Sequence, residues 1–181
     1  MMSVRMWGPG VGAVAVLLAT AAWARWPAGV DTRLWSEVRP VVEARLVTQA
    51  AGSGYGESTP ALRAKWFCRA EALDLRENGD RVRAGVDTLC LEYGVRDGAL
   101  VECGGAHFPQ VVRLERDTDG GYHVVAQEEP PDGAGYAEWE ENHFSFLAES
   151  RLDDDAGTPA ALETAARAHF ALPAGAPVEA C

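Results

Sequence analysis

Between residues 66 and 127 the chain alternates polar and apolar residues in runs that are broken by turn-forming clusters, and this pattern restricts the fold most. Trp66–Leu75 alternates for much of its length and leads into Glu77-Asn78-Gly79-Asp80, a hairpin signal because Asn and Gly tolerate positive φ. Val82–Tyr93 follows at once and ends in Gly94-Val95-Arg96-Asp97-Gly98, a second turn. Ala99–Cys103 and Phe108–Arg116 read as a third strand interrupted at Gly104-Gly105, where a bulge or bend lets a long strand curl. Asp117-Thr118-Asp119-Gly120 then turns the chain into a fourth strand, Gly121–Gln127. Connections this short join antiparallel neighbours, so the segment is expected to form a four-stranded antiparallel meander.

An apolar sheet face must be covered, and the preceding residues supply the cover. Asp31–Val47 places Leu34, Trp35, Val38, Val42 and Leu46 at helical spacing, with Asp31 positioned to cap the start. Pro40 falls inside this helix and predicts a kink or a junction of two short helices. The fold class is therefore α+β, with an N-terminal helix packed on a curled meander. Residues 51–60 form a loop; its Gly52-x-Gly54-x-Gly56 has the look of a phosphate cradle but lacks a following Lys and a preceding strand.

Residues 130–181 read as an acidic helical extension. One helix spans Tyr136–Leu147 with Tyr136, Trp139, His143 and Phe146 or Leu147 on one face, a stripe read as packing against the sheet. A second starts at Thr158-Pro159 and runs to about Leu172, with Leu162, Ala165, Ala166 and Phe170 inward. The remainder to Cys181 is expected to be irregular. Between the helices, Asp153-Asp154-Asp155 lacks the glycine and distant glutamate of a calcium loop and reads as a solvated turn.

With 181 residues, 48% of them hydrophobic, the chain fits one globular domain. Its 16 Lys+Arg against 27 Asp+Glu give a net charge of −11, which argues against binding nucleic acid or an anionic membrane surface. Acid concentrates in the extension, at Glu138, Glu140, Glu141 and the Asp153 run, whereas seven of the fifteen arginines lie in the meander against two in the extension. That extension can solubilise the domain or meet a basic partner. The Ala/Gly/Arg-rich composition fits a bacterial source of high GC content.

Residues 1–24 carry an export signal in one of two forms. After Arg5 no charge occurs until Arg25, and Val11–Ala19 is a continuous apolar run. A basic residue, an apolar stretch and the small pair Ala22-x-Ala24 make a signal peptide cleaved after Ala24. The uncharged residues 6–24 also approach the roughly 20 that a membrane-spanning helix needs, and Arg25-Trp26 resembles an interfacial anchor. Either form places the remaining chain outside the cytoplasm, secreted or tethered to the cell membrane. No Cys precedes Cys68, which rules out a lipid-modified cysteine at the cleavage point.

In an oxidising compartment Cys68, Cys90, Cys103 and Cys181 are expected to form two disulfides. Their spacing offers no CxxC pair, and His107, His123, His143 and His169 show no HxxxH pair, so no metal site is expected. Three connectivities exist. Pairing Glu77 with Arg81 sets Cys68 opposite Cys90; pairing Gly94 with Ala99 sets Cys90 opposite Cys103. Cys90 can serve only one partner, and the shorter loop favours Cys90–Cys103, leaving Cys68 for Cys181.

Helix, loop and a meander closing in Val111-Val112-Arg113-Leu114-Glu115-Arg116-Asp117-Thr118-Asp119-Gly120-Gly121-Tyr122-His123-Val124-Val125 resemble the cystatin-like roll of the nuclear-transport-factor-two-like superfamily over residues 31–129. In that family a strand with a basic end, an Asp-Gly-Gly turn and an aromatic-x-Val strand commonly close the domain. This chain lacks the family's short first strand and adds about fifty residues after the sheet. The resemblance implies a conical cavity between sheet and helix, a site that serves isomerases, dehydratases, binding proteins and membrane-anchored assembly modules, so the fold does not select the function.

No Gly-x-Ser-x-Gly element is present, and all four cysteines are better used in disulfides than as nucleophiles. Isomerase members of the resembled family would use an Asp or His in the cone to abstract a proton, which makes Asp87, Glu92, His107 and His123 the candidates. Asp87 and His123 sit between apolar residues, where an outward polar position is expected, and His107 follows the Gly-Gly bend. The sequence therefore favours a non-catalytic, disulfide-stabilised envelope or secreted module that binds a protein or small-molecule ligand, without a cofactor. A cone-cavity isomerase or dehydratase and a membrane-tethered structural component of an envelope assembly are the alternatives.

Overall fold

The computed structural model describes residues 30–145, residue 148 and residues 159–181. Residues 1–24, where an export signal is expected, together with Phe146, Leu147 and the Asp153 run, lie outside the described residues. The class is α+β: an N-terminal helix, a sheet of mostly antiparallel strands that does not close on itself, and C-terminal helices.

Helix α1 spans Thr32–Ala50, capped by Asp31, whose Oδ1 accepts the N–H groups of Arg33 and Leu34 at 2.9 and 3.0 Å. It continues through Pro40 as one helix. Pro40 is exposed, so water can take the carbonyl that loses its partner. The opposite stripe, Leu34, Val38, Val42 and Leu46, is buried, each side chain contributing roughly 1.5–3 kcal/mol by leaving water.

Strands β1 (Lys65–Asn78), β2 (Arg81–Arg96), β3 (Ala99–Arg116) and β4 (Tyr122–Glu128) pair antiparallel in that order. Val82, Ala84 and Val86 of β2, with Ala70, Val112 and Leu114 beside them, meet the α1 stripe. The other face is also covered. Helix α2 (Tyr136–His143) leads into Phe144, which packs with Leu73, Val111 and Trp139 near the hairpin end. Helix α3 (Pro159–His169) sets Leu162 and Ala166 against Leu91, Tyr93 and Leu100 at the other end, whereas Ala165, expected inward, is exposed. Among the described residues, no helix is long and apolar enough to cross a membrane.

Several expectations are corrected. The third strand is continuous through Gly104-Gly105, and the irregularity is a bulge that pairs Glu92 with Gly104 and Tyr93 with Glu102. The C-terminal tail is not irregular throughout: β5 (Val178–Ala180) pairs parallel with Leu100–Glu102, making the sheet five-stranded. One side of β3 thus holds β4 along Val111–Arg116 and β5 along Leu100–Glu102, with no strand beside Cys103–Gln110 among the described residues.

The proposed cysteine pairing is wrong. The bonds are Cys68–Cys90 and Cys103–Cys181, not Cys90–Cys103 with Cys68–Cys181. The second hairpin turns on two residues, Asp97 (φ 51°) and Gly98 (φ 82°), so Arg96 faces Ala99 and β2 is longer than expected. Cys90 then lies opposite Ala106, out of reach of Cys103. The first hairpin also has a two-residue turn, with Asn78 facing Arg81, but a bulge at Leu73 shifts the ladder and sets Cys68 directly opposite Cys90.

Candidate functional site

Around Leu46 and the last turn of α1, helix and sheet border a cavity of about 170 Å³. Gln49 and Ala50 from the last turn of α1, and Ser53 after it, form one wall. The sheet supplies the others: Trp66 from β1, Thr88 and Cys90 from β2, and Ala106, Phe108 and Gln110 from β3. Alternation puts these sheet residues on the face that carries Val86 and Val112, and the small side chains of Thr88 and Ala106 leave the space.

The polar groups around this cavity are amides, the hydroxyls of Ser53 and Thr88, and the Trp66 indole N–H, which is buried without a hydrogen-bond partner among the described residues. Thr88 Oγ1 donates to the Phe108 carbonyl at 2.7 Å and accepts from Gln110 Nε2 at 3.1 Å. Gln127 Nε2 contacts Gln110 Oε1 and Gln49 Oε1, joining β4 to α1 across the rim. None of the residues lining the cavity carries an ionisable group, since Cys90 is bonded to Cys68.

The sequence candidates lie elsewhere. Glu92 is fully buried beside the cavity, and its carboxylate accepts Gly56 N–H at 2.8 Å and Glu57 N–H at 2.7 Å. Glu57 in turn accepts Gly52 N–H at 2.6 Å and Gly54 N–H at 3.2 Å. The Gly-x-Gly-x-Gly loop is thus an anion cradle, filled by two carboxylates of its own chain. A Cβ on Gly54 would stand 2.2 Å from Glu92 Oε1, which is why that position has none.

Asp87 and His107 come together on the opposite face, facing away from the cavity. His107 Nε2 lies 3.0 Å from both oxygens of Asp87, which is buried, while His107 is nearly half exposed. Nε2 faces acceptors only, so it carries the proton there. Tyr136 of α2 lies close enough to feel the Asp87 charge; burial first, then Glu140, pushes its hydroxyl up to about 12. His123 is a surface residue of the β3–β4 hairpin, 2.7 Å from Asp117 Oδ1. Of the four candidates, the structure joins only Asp87 and His107, and it puts none of them in the cavity wall.

Sequence reasoning did not single out Thr88 and Gln110. Their signal was available: both are polar residues at positions whose neighbours two along, Val86 and Val112, face the core. His143, named from sequence only as part of the packing stripe, has its Nδ1 2.7 Å from the Trp139 carbonyl and its Nε2 3.2 Å from Glu128 Oε2. With Arg83 Nη2 donating to the His143 carbonyl at 2.7 Å, these contacts fasten α2 to the sheet.

No family model matches the chain, and no solved structure matches it. In sequence it is similar to the 3-isopropylmalate dehydratase large subunit 1 of Deinococcus radiodurans, at 31% identity over 155 residues. The alignment covers 80% of this chain and 31% of that protein, so the chain spans about a third of the relative's length.

Proposed function

We propose that the protein is an exported binding module whose cavity between α1 and the sheet takes a small, uncharged, largely apolar ligand. The carrying observation is the cavity lining: aromatic, aliphatic, amide and hydroxyl side chains and a disulfide, with no acid or base among them. At about 170 Å³ it suits a single small ring, since an apolar cavity of about 150 Å³ accommodates benzene. The helix packed on a bulged meander fits a cystatin-like roll, in which a cavity in this place is expected. Two disulfides are consistent with an oxidising compartment, and residues 1–24 would direct export as a cleaved signal or a retained anchor.

Proton-transfer chemistry of the isomerase or dehydratase kind would need an acid or base in the cavity wall, and the ionisable candidates are placed outside it. The relative's dehydratase activity is that of a protein about three times this alignment's length, and it is not part of the proposal.

Titration of ¹⁵N-labelled protein with toluene tests the reading. Amide resonances of Gln49, Thr88, Ala106 and Phe108 should shift saturably, and Ala106→Trp, which fills the mouth, should abolish the effect. Shifts that are absent, or that survive Ala106→Trp, would overturn it.

A further inference from the structure

The loop after α1 forms part of the cavity wall through Ser53 and, apart from one 3-10 turn at Gly56–Ser58, belongs to neither helix nor sheet. Internally it is closed: Glu57 holds Gly52 and Gly54, the Ser53 N–H bonds the Ala50 carbonyl at 3.1 Å, and the Ser58 N–H bonds the Tyr55 carbonyl at 3.2 Å. Towards the sheet, among the described residues, its hydrogen bonds converge on one side chain, Glu92. At its start the loop is hinged on α1 through the Ala51 and Ser53 N–H groups, and a segment closed on itself and hydrogen-bonded to the sheet through one side chain can move as a body when that side chain lets go.

Resting on the cavity reading above, we propose that residues 51–58 are a flap over the cavity mouth, and that Glu92 is the latch that sets how fast a ligand enters and leaves. The chemistry of the latch suits the role. Both bonds are charge-assisted, shorter than ordinary amide bonds, and shielded from water, so the closed state is strongly favoured. Opening exposes the carboxylate to solvent, which recovers much of what the two bonds contributed, so the flap can open without unfolding the sheet. Gly54 and Gly56 allow the close approach: a Cβ on either would overlap Glu92 or Ala64 and Cys103. An external anion is not the natural occupant of this cradle, because Glu92 is fixed against Gly54 and would repel it.

Amide hydrogen exchange and probe kinetics on the full chain test this together. In the wild type, Gly56 and Glu57 should exchange at one shared rate, at least about tenfold faster than amides in the middle of β2. Glu92→Gln keeps the size but places an NH₂ against an N–H donor. It should speed exchange at Gly56 and Glu57 by about tenfold or more. Association and dissociation of toluene should both accelerate, with Kd changed by less than about threefold. Glu57→Gln should loosen Gly52 and Gly54 while leaving Gly56 and Glu57 protected. The flap is overturned if the wild-type Gly56 and Glu57 amides exchange only with the β2 core, a result that does not require the variant to fold. It is equally overturned if Glu92→Gln leaves toluene kinetics unaltered. Failure of toluene to bind at all would instead overturn the cavity reading.

Discussion

Asp87 presents both carboxylate oxygens to Nε2 of His107, each at 3.0 Å, on the sheet face away from α1. Asp87 is 5% exposed and accepts its best bond from this ring. Replacing His107 by Ala leaves a buried acceptor without its donor, at a cost of about 1–3 kcal/mol in urea unfolding. In a double-mutant cycle with Asp87→Asn the two changes should be non-additive by at least about 0.5 kcal/mol. Additive costs would show that the pair does not act as one unit.

The two disulfides close loops of different size, with sequence separations of 22 and 78. On the chain-entropy account, removing Cys103–Cys181 by paired Ala substitution should cost about 4 kcal/mol and removing Cys68–Cys90 about 3 kcal/mol. Only the former should release β5, raising exchange at the Leu100 and Cys181 amides, which bond Pro177 and Glu102. A non-reducing peptide map should recover Cys68 with Cys90 and Cys103 with Cys181.

Gly54→Ala and Gly52→Ala separate two reasons for glycine. At Gly54 the added methyl meets Glu92 Oε1 at 2.2 Å, an overlap expected to cost about 1–3 kcal/mol and to detach Gly56 and Glu57 from the carboxylate. At Gly52 nothing lies within 4 Å, but φ is +86°, so the cost is the roughly 1 kcal/mol of a left-handed backbone. Thermal unfolding gives both totals, and the Gly56 amide shift should move markedly only in Gly54→Ala.

Glu128 is held below its ordinary value of 4.5, chiefly by the Arg113 guanidinium that bonds it, with His143 adding to the effect against some desolvation. A depressed carboxyl contributes stability that is fully present above pH 4.5 and lost as pH falls through the lower folded value. Melting temperature should therefore fall below about pH 4.5, and less steeply in Glu128→Gln. Identical acid limbs in wild type and variant would remove Glu128 as a contributor.

Local chemistry made the strands, the first hairpin and α1 legible, because Asp31, Asn78-Gly79 and the Leu34–Leu46 stripe each act within a few residues. The second hairpin misled for a physical reason. Gly94 looks like a turn residue, but it is glycine because a Cβ there would approach the Leu62 carbonyl oxygen to 2.9 Å, a contact made in three dimensions. The real turn, Asp97-Gly98, lengthens the strand and moves Cys103 away from Cys90. Strand β5 left no periodic signal, since Val178, Glu179 and Ala180 are all exposed and the strand is held by backbone bonds, Arg96 and the disulfide. Asp87, Glu92 and His107 could be named from sequence, but the opposite faces they occupy, all outside the cavity wall, follow from register and bulges. The cavity itself depends on how the end of α1 packs over Thr88 and Ala106, which no local pattern encodes.

Among the described residues, strand β3 is flanked at both ends and bare between Cys103 and Gln110, a backbone edge of the kind that invites a neighbouring molecule to add a strand. That stretch contains Pro109, which has no N–H to offer, and Gly104-Gly105 beside a bulge, which twists the edge out of line. With β4 and β5 shielding what remains, the sequence itself disfavours polymerisation through the edge next to the cavity.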